Sequence, residues 1–391
     1  MTQSVAGNPA LSSTAIVQRS KLSGITPAGK RILYVAYPLA TVSDESCGGA
    51  EQILFMLERE IAMRHHRTTV SACTGSRVTG ELLETGSAAT QFEQLAERDD
   101  EHNRAILNAI ADRELNGAPF DLLHDHSGRF WNACLVDVPV LVTLHLSRNS
   151  YPPEMFADMP ENVFFNCVSA RETEQFADLP NMLGFVRNGV PLDRFPFSGN
   201  KEDYLVCLGR ICEEKATHLA MDAAEQAGVR LILMGPGYLY ARDQEYFDQE
   251  IAPRLERNPR TLFVPSPSFA TKVELLRSAR GLLMPSQLEE TSSLVSIEAM
   301  ACGTPVIAFR TGALPEVVLH DETGFIVDMV SEMADAVRML ASIDPAVCRR
   351  HVEIHHSAAR MADEYELLYR TILEGPGQAN LMASGRRLTP D

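Results

Sequence analysis

The stretch that most limits how this chain can fold is 284–309, where an apolar strand leads through a polar loop and a short helix into a second strand. The first strand ends at Pro285, and Thr291, Ser292 and Ser293 supply N-cap chemistry just before apolar residues with helical spacing. Gly303 ends the predicted helix, and a new strand begins at Thr304. This order predicts a parallel α/β sheet with the helix N-terminus at its mouth.

The N-terminus of that helix is a predicted anion site. The backbone amides of Ser293, Leu294 and Val295 lie in the first turn, where a helix offers them no acceptor. The helix dipole adds roughly half a positive charge at the same end. The sequence therefore predicts that these amides bind a phosphate.

Two glutamates flank the predicted phosphate site. Glu290 lies in the loop before the amides, and Glu298 follows inside the helix, with seven residues between them. A rise of about 1.5 Å per residue, with side chains tilted toward the N-terminus, brings Glu298 close to the same anion. Because carboxylates repel phosphate, their natural partners are hydroxyl groups on either side of it, a sugar for one and a ribose for the other. A sugar nucleotide has that layout.

The spacing of Glu290 and Glu298, followed by the residues AMACGTPVIA, resembles the donor-site signature of the retaining GT-B glycosyltransferases of family 4, also called glycosyl transferases group 1. The similarity continues through 311–316 and 322–327 and covers about 31–372. It implies an α/β fold of two Rossmann-like, doubly wound domains that face each other across a cleft. The second domain would hold the sugar nucleotide and the first the acceptor. Most members have Pro-Phe-Gly-Leu where this chain has Thr-Ser-Ser-Leu over 291–294, which makes the phosphate loop bulkier and more polar.

The resemblance and a change of composition near 195–203 predict the domain organisation. We predict a disordered tail over 1–29, an N-terminal acceptor domain over 30–197, a C-terminal sugar-nucleotide domain over 198–355, a helix over 356–373 that crosses back to the first domain, and a second disordered tail over 374–391. The acidic stretch 75–100 is expected to be a variable loop with short helices, and 345–373 is expected to be helical.

The first domain opens with an apolar strand over 31–37, a turn at Gly48 and Gly49, and an amphipathic helix. Glycines at a helix N-terminus let the backbone approach a ligand closely, but this pattern is not GxGxxG, which disfavours a dinucleotide dehydrogenase. In the family, a Gly-Gly-x-Glu element at this place lines the cleft opposite the donor. The resemblance therefore implies that Gly48 and Gly49 belong to the donor-binding cleft.

Three histidines lie at predicted strand ends, at positions 124, 126 and 145. His124 and His126 share one strand face, but no carboxylate or cysteine has the spacing of a third metal ligand. The resemblance implies a metal-independent enzyme. It also implies that a histidine at the end of the next strand, over 139–145, lies beside the transferred sugar. His145 is the candidate for that role, His126 is the second candidate, and His124 is expected to be structural. Asn188, in the family's hinge pattern, is a further possible site residue.

The second domain begins with a strand followed by Arg210 and Lys215. A departing diphosphate carries roughly two to three negative charges and needs fixed cations nearby, above all in so acidic a protein. The resemblance to the family's Gly-Arg and Lys-Gly motifs implies that these two residues bind it. Ala216 replaces the glycine that usually follows the lysine.

Composition narrows the classes of partner. The chain has 391 residues, a net charge of -17 and 45% hydrophobic residues, without an apolar run long enough for a membrane span. The acidity disfavours nucleic-acid binding, and stable membrane insertion is not expected. Eight cysteines without a CxxC pair indicate reduced thiols and a cytoplasmic protein.

The predicted function is transfer of a hexosyl group from a nucleotide-diphosphate sugar, with a UDP-sugar favoured, to the hydroxyl of a sugar, lipid-linked or small-molecule acceptor. The reaction would retain the anomeric configuration and need no cofactor or metal. Because no side chain is placed as a covalent nucleophile, the leaving phosphate is expected to help deprotonate the acceptor on the front face. Two alternatives stay open: a sugar-nucleotide epimerase with the same fold, and a non-catalytic sugar-nucleotide-binding protein.

Overall fold

Short apolar runs in the first half of the chain form a seven-stranded, fully parallel sheet. The computed structural model describes residues 29–46, 48–88, 95–236 and 241–375. The strand order is β3-β2-β1-β4-β5-β6-β7. The strands are β1 (Arg31–Val35), β2 (Arg67–Ala72), β3 (Glu81–Glu84), β4 (Leu122–Asp125), β5 (Val140–Thr143), β6 (Val163–Cys167) and β7 (Met182–Phe185).

Alternating side chains of β1 supply two separate cores, one on each face of this sheet. Ile32 and Tyr34 belong to one core, whereas Leu33 and Val35 belong to the other. This is the period of two that a strand buried on both faces must show. The helices of this half are α1 (Gly49–Met63), α2 (Leu95–Leu115), α3 (Phe130–Ala133) and α4 (Ala170–Gln175).

The second half forms a six-stranded parallel sheet in the order β10-β9-β8-β11-β12-β13. Its strands are β8 (Glu202–Leu208), β9 (Arg230–Gly235), β10 (Thr261–Pro265), β11 (Ala279–Met284), β12 (Val306–Phe309) and β13 (Gly324–Val327). Its helices are α5 (Thr217–Ala227), α6 (Ala241–Tyr246), α7 (Ala252–Arg257), α8 (Phe269–Ser278), α9 (Leu294–Ala301), α10 (Leu314–Val317), α11 (Val330–Met339) and α12 (Pro345–His355). Both sheets place the carboxyl ends of their strands at one edge, where ligands of doubly wound folds bind.

Two chain crossings join the halves, and they pair with each other. Val190 donates its amide to the carbonyl oxygen of His356 and accepts from the amide of Ala358. The helix α13 (Ala358–Glu374) then packs against α1, and its Tyr365 and Tyr369 are buried in the first-half core. The last helix therefore belongs to the packing of the first sheet.

One local expectation was wrong. The stretch 75–100 contains β3, an edge strand that pairs with β2 in the register Thr69↔Glu81, and α2 already begins at Leu95. The sequence ELLE has acidic ends and exposes much of its surface, so it lacks the apolar run by which buried strands are recognised. The stretch 345–373 is helical as expected, in two helices, α12 and α13, which meet at the chain crossing. The predicted tails lie outside the described residues, apart from Gly29 and the pair Glu374 and Gly375.

None of the helices in the described ranges combines the length and the apolar run that crossing a bilayer requires.

We predict that Tyr369→Phe lowers the free energy of unfolding by about 1–3 kcal/mol, because a buried partner is removed from two groups. The Tyr369 hydroxyl lies 2.8 Å from Nδ1 of His124 and 3.1 Å from the hydroxyl of Tyr34. Urea denaturation measures the change. Leu367→Ala on the exposed side of the same helix is the control and should change stability by less than about 0.5 kcal/mol. Equal stability of Tyr369→Phe and wild type would contradict the prediction.

Candidate active site

The loop between β11 and α9 is fixed by the chain segment that follows β12. Ala313 donates its amide to the carbonyl oxygen of Glu290 at 2.7 Å, and the Thr311 hydroxyl donates to the carbonyl oxygen of Ser286 at 3.1 Å. Gly312 lies between them at φ +49°, and a Cβ there would lie 2.2 Å from the Glu290 carbonyl oxygen. The backbone of Glu290 therefore lies so close to position 312 that only glycine fits there.

Lys215 forms an ion pair with Glu290, with 2.5 Å between the lysine Nζ and Oε1. Both side chains are largely buried. The loop of Lys215 is also tied to the loop of Glu290, because the Glu214 carbonyl oxygen accepts from the amides of Gln287 and Leu288. The structure thus brings together two predicted site residues that are far apart in sequence.

Ala216 explains why glycine usually follows the lysine. It has φ +49° and ψ +40°, a left-handed conformation that costs a residue with a Cβ roughly 1 kcal/mol or more. The conformation turns the chain from Lys215 into α5 and is kept here despite the alanine. The replacement is therefore a matter of backbone strain and leaves the position of the lysine intact.

Glu298 forms an ion pair with Lys272 of α8, with 2.7 Å between the lysine Nζ and Oε1. Lys272 also lies over the rings of Phe269 and Phe195, at 5.0 Å and 5.6 Å from the ring centroids. Sequence reasoning did not include Lys272, which lies three residues after α8 begins at Phe269. The signal was present in Ser268, whose side chain caps the helix by accepting from the amide of Thr271.

The N-terminus of α9 points into the space between the two halves. Ser293 is its N-cap and accepts from the amide of Ser296. Within the described chain, the amides of Ser293, Leu294 and Val295 have no hydrogen-bond acceptor. Leu294 crosses to the other half, where it packs against the first-half core, and its Cδ1 lies 3.9 Å from the Cβ position of Gly49. The helix start and the glycine turn are therefore close neighbours.

His145 lies at the end of β5, facing this region. Its backbone oxygen accepts a hydrogen bond of 2.8 Å from the Thr291 hydroxyl across the cleft. Its Nε2 lies 3.0 Å from Nδ1 of His126, and the two rings stack. Burial lowers the pKa of His145 to about 4, so the ring is neutral at pH 7. In this hydrogen bond one neutral ring donates its N–H and the other accepts.

His126 and His124 are both buried, but their partners differ. Burial, followed by the neighbouring histidines, lowers the pKa of His126 well below its usual value, and its Nε2 has no partner among the described residues. His124 bonds the hydroxyl groups of Tyr369 and Thr143 at 2.8 Å and 2.7 Å. The structure therefore places His124 in a satisfied core network and His126 against His145.

The two remaining candidates lie in different surroundings. Arg210 follows β8 and is half-buried, and no carboxylate of the described chain forms an ion pair with it. Asn188 is buried at the chain crossing, where its backbone oxygen bonds Nδ1 of His356 at 3.1 Å. Arg210 is thus a cation available to a ligand, whereas Asn188 belongs to the connection between the halves.

Three further contacts close the cleft, and sequence reasoning found none of them. The carboxylate of Glu316 accepts from the amides of Ala170 and Arg171 at 2.9 Å and 2.6 Å, at the start of α4. Gln175 at the end of that helix donates to Glu289 at 2.6 Å. With the contact from Thr291 to His145, these bonds join the loops of one sheet to the loops of the other.

The assembled site can bind an anion and two hydroxyl-bearing groups. Lys215, Lys272 and Arg210 supply positive charge, and the amides of α9 supply hydrogen-bond donors. The carboxylates of Glu290 and Glu298 supply acceptors. In the part of the chain that the structure describes, no three His, Cys, Asp or Glu side chains converge as metal ligands would. The fixed positive charge of the site is that of side chains and amides.

Comparisons with known proteins relate the second half of the chain to one family. Residues 202–342 match the family described as glycosyl transferases group 1. The chain is 33% identical to the D-inositol 3-phosphate glycosyltransferase of Mycobacteroides abscessus over 173 residues, which cover 40% of this chain and 39% of that relative. The chain thus spans about two fifths of the length of this curated relative.

Two solved structures share the fold over most of the described chain. Sucrose-phosphate synthase from Thermosynechococcus elongatus is 20% identical, with a TM-score of 0.71, and the alignment covers 88% of this chain and 99% of that one. HepE from Anabaena, solved in complex with UDP-glucose, is 15% identical with a TM-score of 0.65, and coverage is 87% and 99%. At these identities the similarity concerns the fold alone.

The protein therefore has the GT-B fold, an α/β architecture with two parallel sheets, as the sequence predicted. The predicted resemblance to the glycosyl transferases group 1 is confirmed as well, because the model of that family matches residues 202–342.

We predict that Gly312→Ala destabilises the protein by more than the cost of a positive φ alone, which is about 1–2 kcal/mol. The added Cβ would displace the backbone of Glu290 and with it the ion pair to Lys215. Gly228→Ala is the matched control, because Gly228 also has a positive φ, +73°, but nothing lies within 4 Å of its Cβ position. Urea denaturation of both variants gives the comparison. Equal losses in the two would show that the contact with Glu290 is not tight.

A second prediction concerns the pH dependence of stability. The pKa of His145 is lowered to about 4 in the folded protein, whereas in an unfolded chain it is about 6.5. The unfolded state therefore binds more protons between these values, so stability is fully present above pH 6.5 and is lost as the pH falls toward 4. In His145→Gln the free energy of unfolding should fall less steeply with decreasing pH. The slope should decrease by up to ~1.4 kcal/mol per pH unit, which corresponds to one proton.

The measurement is the free energy of unfolding by urea at several pH values from 4 to 7. The exposed His65 provides the control, as His65→Asn, because asparagine tolerates its positive φ of +70°. A slope of His145→Gln identical to that of wild type would mean that His145 titrates normally in the folded protein.

Proposed function

We propose that the protein is a retaining family 4 glycosyltransferase, which transfers a sugar from a nucleotide-diphosphate sugar to an acceptor hydroxyl. The observation that carries this proposal is the pair of buried lysine–glutamate contacts, Lys215 with Glu290 and Lys272 with Glu298, on either side of the free amides of α9. A diphosphate with a sugar at one end and a ribose at the other fits between them. A UDP-sugar is the favoured donor, and the HepE complex with UDP-glucose supports that choice.

The diphosphate would be bound by Arg210, Lys215 and the amides at 293–295. Negative charge develops on this group as the bond to the sugar breaks, so fixed positive charge there lowers the barrier. Lys215 already lies 2.5 Å from a carboxylate oxygen of Glu290. The diphosphate takes over part of this positive charge, which leaves the Glu290 carboxylate to accept hydrogen bonds from the sugar hydroxyls.

Glu298 would bind the ribose. Lys272 bonds its Oε1 at 2.7 Å, so we assign Oε2 to the ribose hydroxyls. Lys272 thereby fixes the rotamer of a buried carboxylate and compensates its charge. The base would lie toward Phe263–Ser268, near the start of α8.

His145 would contact the transferred sugar as a neutral ring, because its pKa is lowered to about 4 by burial. A neutral imidazole donates or accepts a hydrogen bond without competing for the charge of the diphosphate. Leu294, whose Cδ1 lies 3.9 Å from the Cβ position of Gly49, would narrow the cleft and help to keep water from the reacting carbon. The acceptor hydroxyl would approach on the face of the leaving phosphate, which takes up its proton, and the configuration at the anomeric carbon is retained.

The proposal assigns no metal and no cofactor to the reaction, because lysine, arginine and amide groups supply the positive charge. It also assigns the protein to the cytoplasm. The seven cysteines of the described residues are all unpaired, as is usual in a reducing compartment.

The test is binding and turnover of UDP-glucose, measured by calorimetry and by UDP release with a panel of acceptors. Lys215→Met should lower turnover by at least about 100-fold, as losing one stabilising contact to a developing anion does in other enzymes. Glu298→Gln should weaken UDP and UDP-glucose equally, because it would contact the nucleotide. Lys30→Met is the control, since Lys30 precedes β1 at the opposite edge of the sheet from the cleft.

The outcomes separate the three candidate functions. Acceptor-dependent release of UDP, lost in Lys215→Met and kept in Lys30→Met, supports the transferase. Conversion of UDP-glucose without an acceptor would favour the epimerase. Saturable binding without turnover on any acceptor would favour the binding protein, and the absence of nucleotide-sugar binding would contradict all three.

A further inference from the structure

A second cavity lies outside the candidate active site, on the flank of the first sheet. It is formed by the outer side of α1, the loop at 77–79 and the chain after the first crossing, and its volume is about 420 Å³. This volume falls in the range of small-molecule sites. We call it the arginine groove, and its lining residues are Asp44, Phe55, Arg59, Arg77, Val78, Thr79 and Arg194.

Charge is the unusual property of the arginine groove. Three of its seven lining residues are arginines and one is acidic, in a chain whose net charge is -17. Arg77 bonds Asp44 at 3.2 Å and Glu45 at 3.0 Å, and Arg194 lies 3.7 Å from Asp44. A single lining carboxylate therefore lies between two guanidinium groups.

Arg59 has no such partner. It is half-buried on α1, and among the described residues no carboxylate forms an ion pair with it. The neighbouring acids are engaged elsewhere, because Glu58 is buried under the loop and Glu60 lies 4.0 Å from Arg64. The groove thus contains a positive charge that the protein itself does not neutralise.

The wall opposite Arg59 is fixed. The buried carboxylate of Glu58 accepts from the amides of Thr79 and Gly80 at 2.9 Å and 2.8 Å, and from the hydroxyl of Thr68 at 2.6 Å. These bonds fix the backbone of Thr79 and Gly80 against α1. A preorganised wall reduces the entropy that a ligand loses on binding.

We propose that the arginine groove binds a small molecule that carries a phosphate group, at a site distinct from the donor cleft. Guanidinium groups bind phosphate oxygens in pairs, and three of them surround this volume. The side chains of Phe55 and Val78 provide an apolar surface for the carbon skeleton of the ligand, and Thr79 provides a hydroxyl. The proposal goes beyond the glycosyl transfer and does not depend on it.

A narrow crevice separates the groove from the donor cleft. It shares Asp44, Phe55 and Arg194 with the groove and reaches Glu298, but its volume is only about 20 Å³. That space is too small for a sugar, so a ligand in the groove cannot at the same time occupy the site of the ribose.

The groove is nevertheless linked to the donor cleft through Arg194. Its guanidinium donates to the Asp44 carbonyl oxygen at 3.2 Å and lies 4.0 Å from the ring centroid of Phe269. Phe269 is the first residue of the helix that carries Lys272. A bound phosphate competes with Asp44 for Arg194 and Arg77.

The test is calorimetric titration of the full chain with glucose 6-phosphate, inorganic phosphate and glucose, with ionic strength matched by chloride. We expect saturable binding of both phosphate compounds and none of glucose. Arg59→Gln and Arg77→Gln should each weaken the affinity at least about tenfold, because a charged hydrogen bond is lost. Arg104→Gln makes the same charge change on the exposed face of α2 and should leave the affinity unchanged.

Two arginine variants are used in case one of them fails to fold. The Arg77 side chain is 63% exposed, so Arg77→Gln is expected to fold. Tighter binding of glucose 6-phosphate than of inorganic phosphate identifies a sugar phosphate as the ligand, and equal binding identifies the phosphate group alone. No saturable binding, or an affinity that Arg59→Gln and Arg77→Gln both leave intact, would overturn the proposal. Lys215→Met should retain glucose 6-phosphate binding, which separates this site from the donor site.

Discussion

The ion pair between Lys215 and Glu290 is the contact on which the arrangement of the site depends. It joins the loop after β8 to the loop before α9, and each loop is further fixed by backbone hydrogen bonds, from Glu214 on one side and from Ala313 on the other. Both charges are largely buried, so neither is stable without the other or a ligand in its place. The pair therefore positions a cation and a hydrogen-bond acceptor at the point where the proposed diphosphate and sugar meet.

The contacts across the cleft act on the same loops. Thr291 next to Glu290 bonds the backbone of His145, and Leu294 packs near Gly49. Glu316 in the segment after β12 bonds the start of α4. Thr291 and Leu294 lie in or beside the proposed donor contacts at Glu290 and 293–295, so closure of the two halves and the shape of the donor site are linked. The expected effect is that donor binding and exclusion of water occur together.

The sequence allowed the fold to be predicted and the candidate residues of the second half to be selected, because both depend on local patterns. The Glu290 and Glu298 spacing, the Ser293 cap and the glycine at 303 all lie within one strand-loop-helix unit. Contacts between distant segments gave no such signal. No sequence pattern around Glu316 or Thr291 indicates which residues they bond. Strand β3 was missed because it is an edge strand without an apolar run. Lys272 was missed because the nearby Pro265 and Pro267 indicate a loop, although α8 already begins at Phe269.

The most direct test of the central claim is a crystal structure of the protein with UDP-glucose. The account predicts that the diphosphate lies on the amides at 293–295 within hydrogen-bond distance of Lys215 and Arg210. The ribose should lie on Glu298 and the glucose hydroxyls on Glu290. A diphosphate found in the arginine groove, or one that leaves the contact between Lys215 and Glu290 unchanged and makes none with α9, would contradict the account.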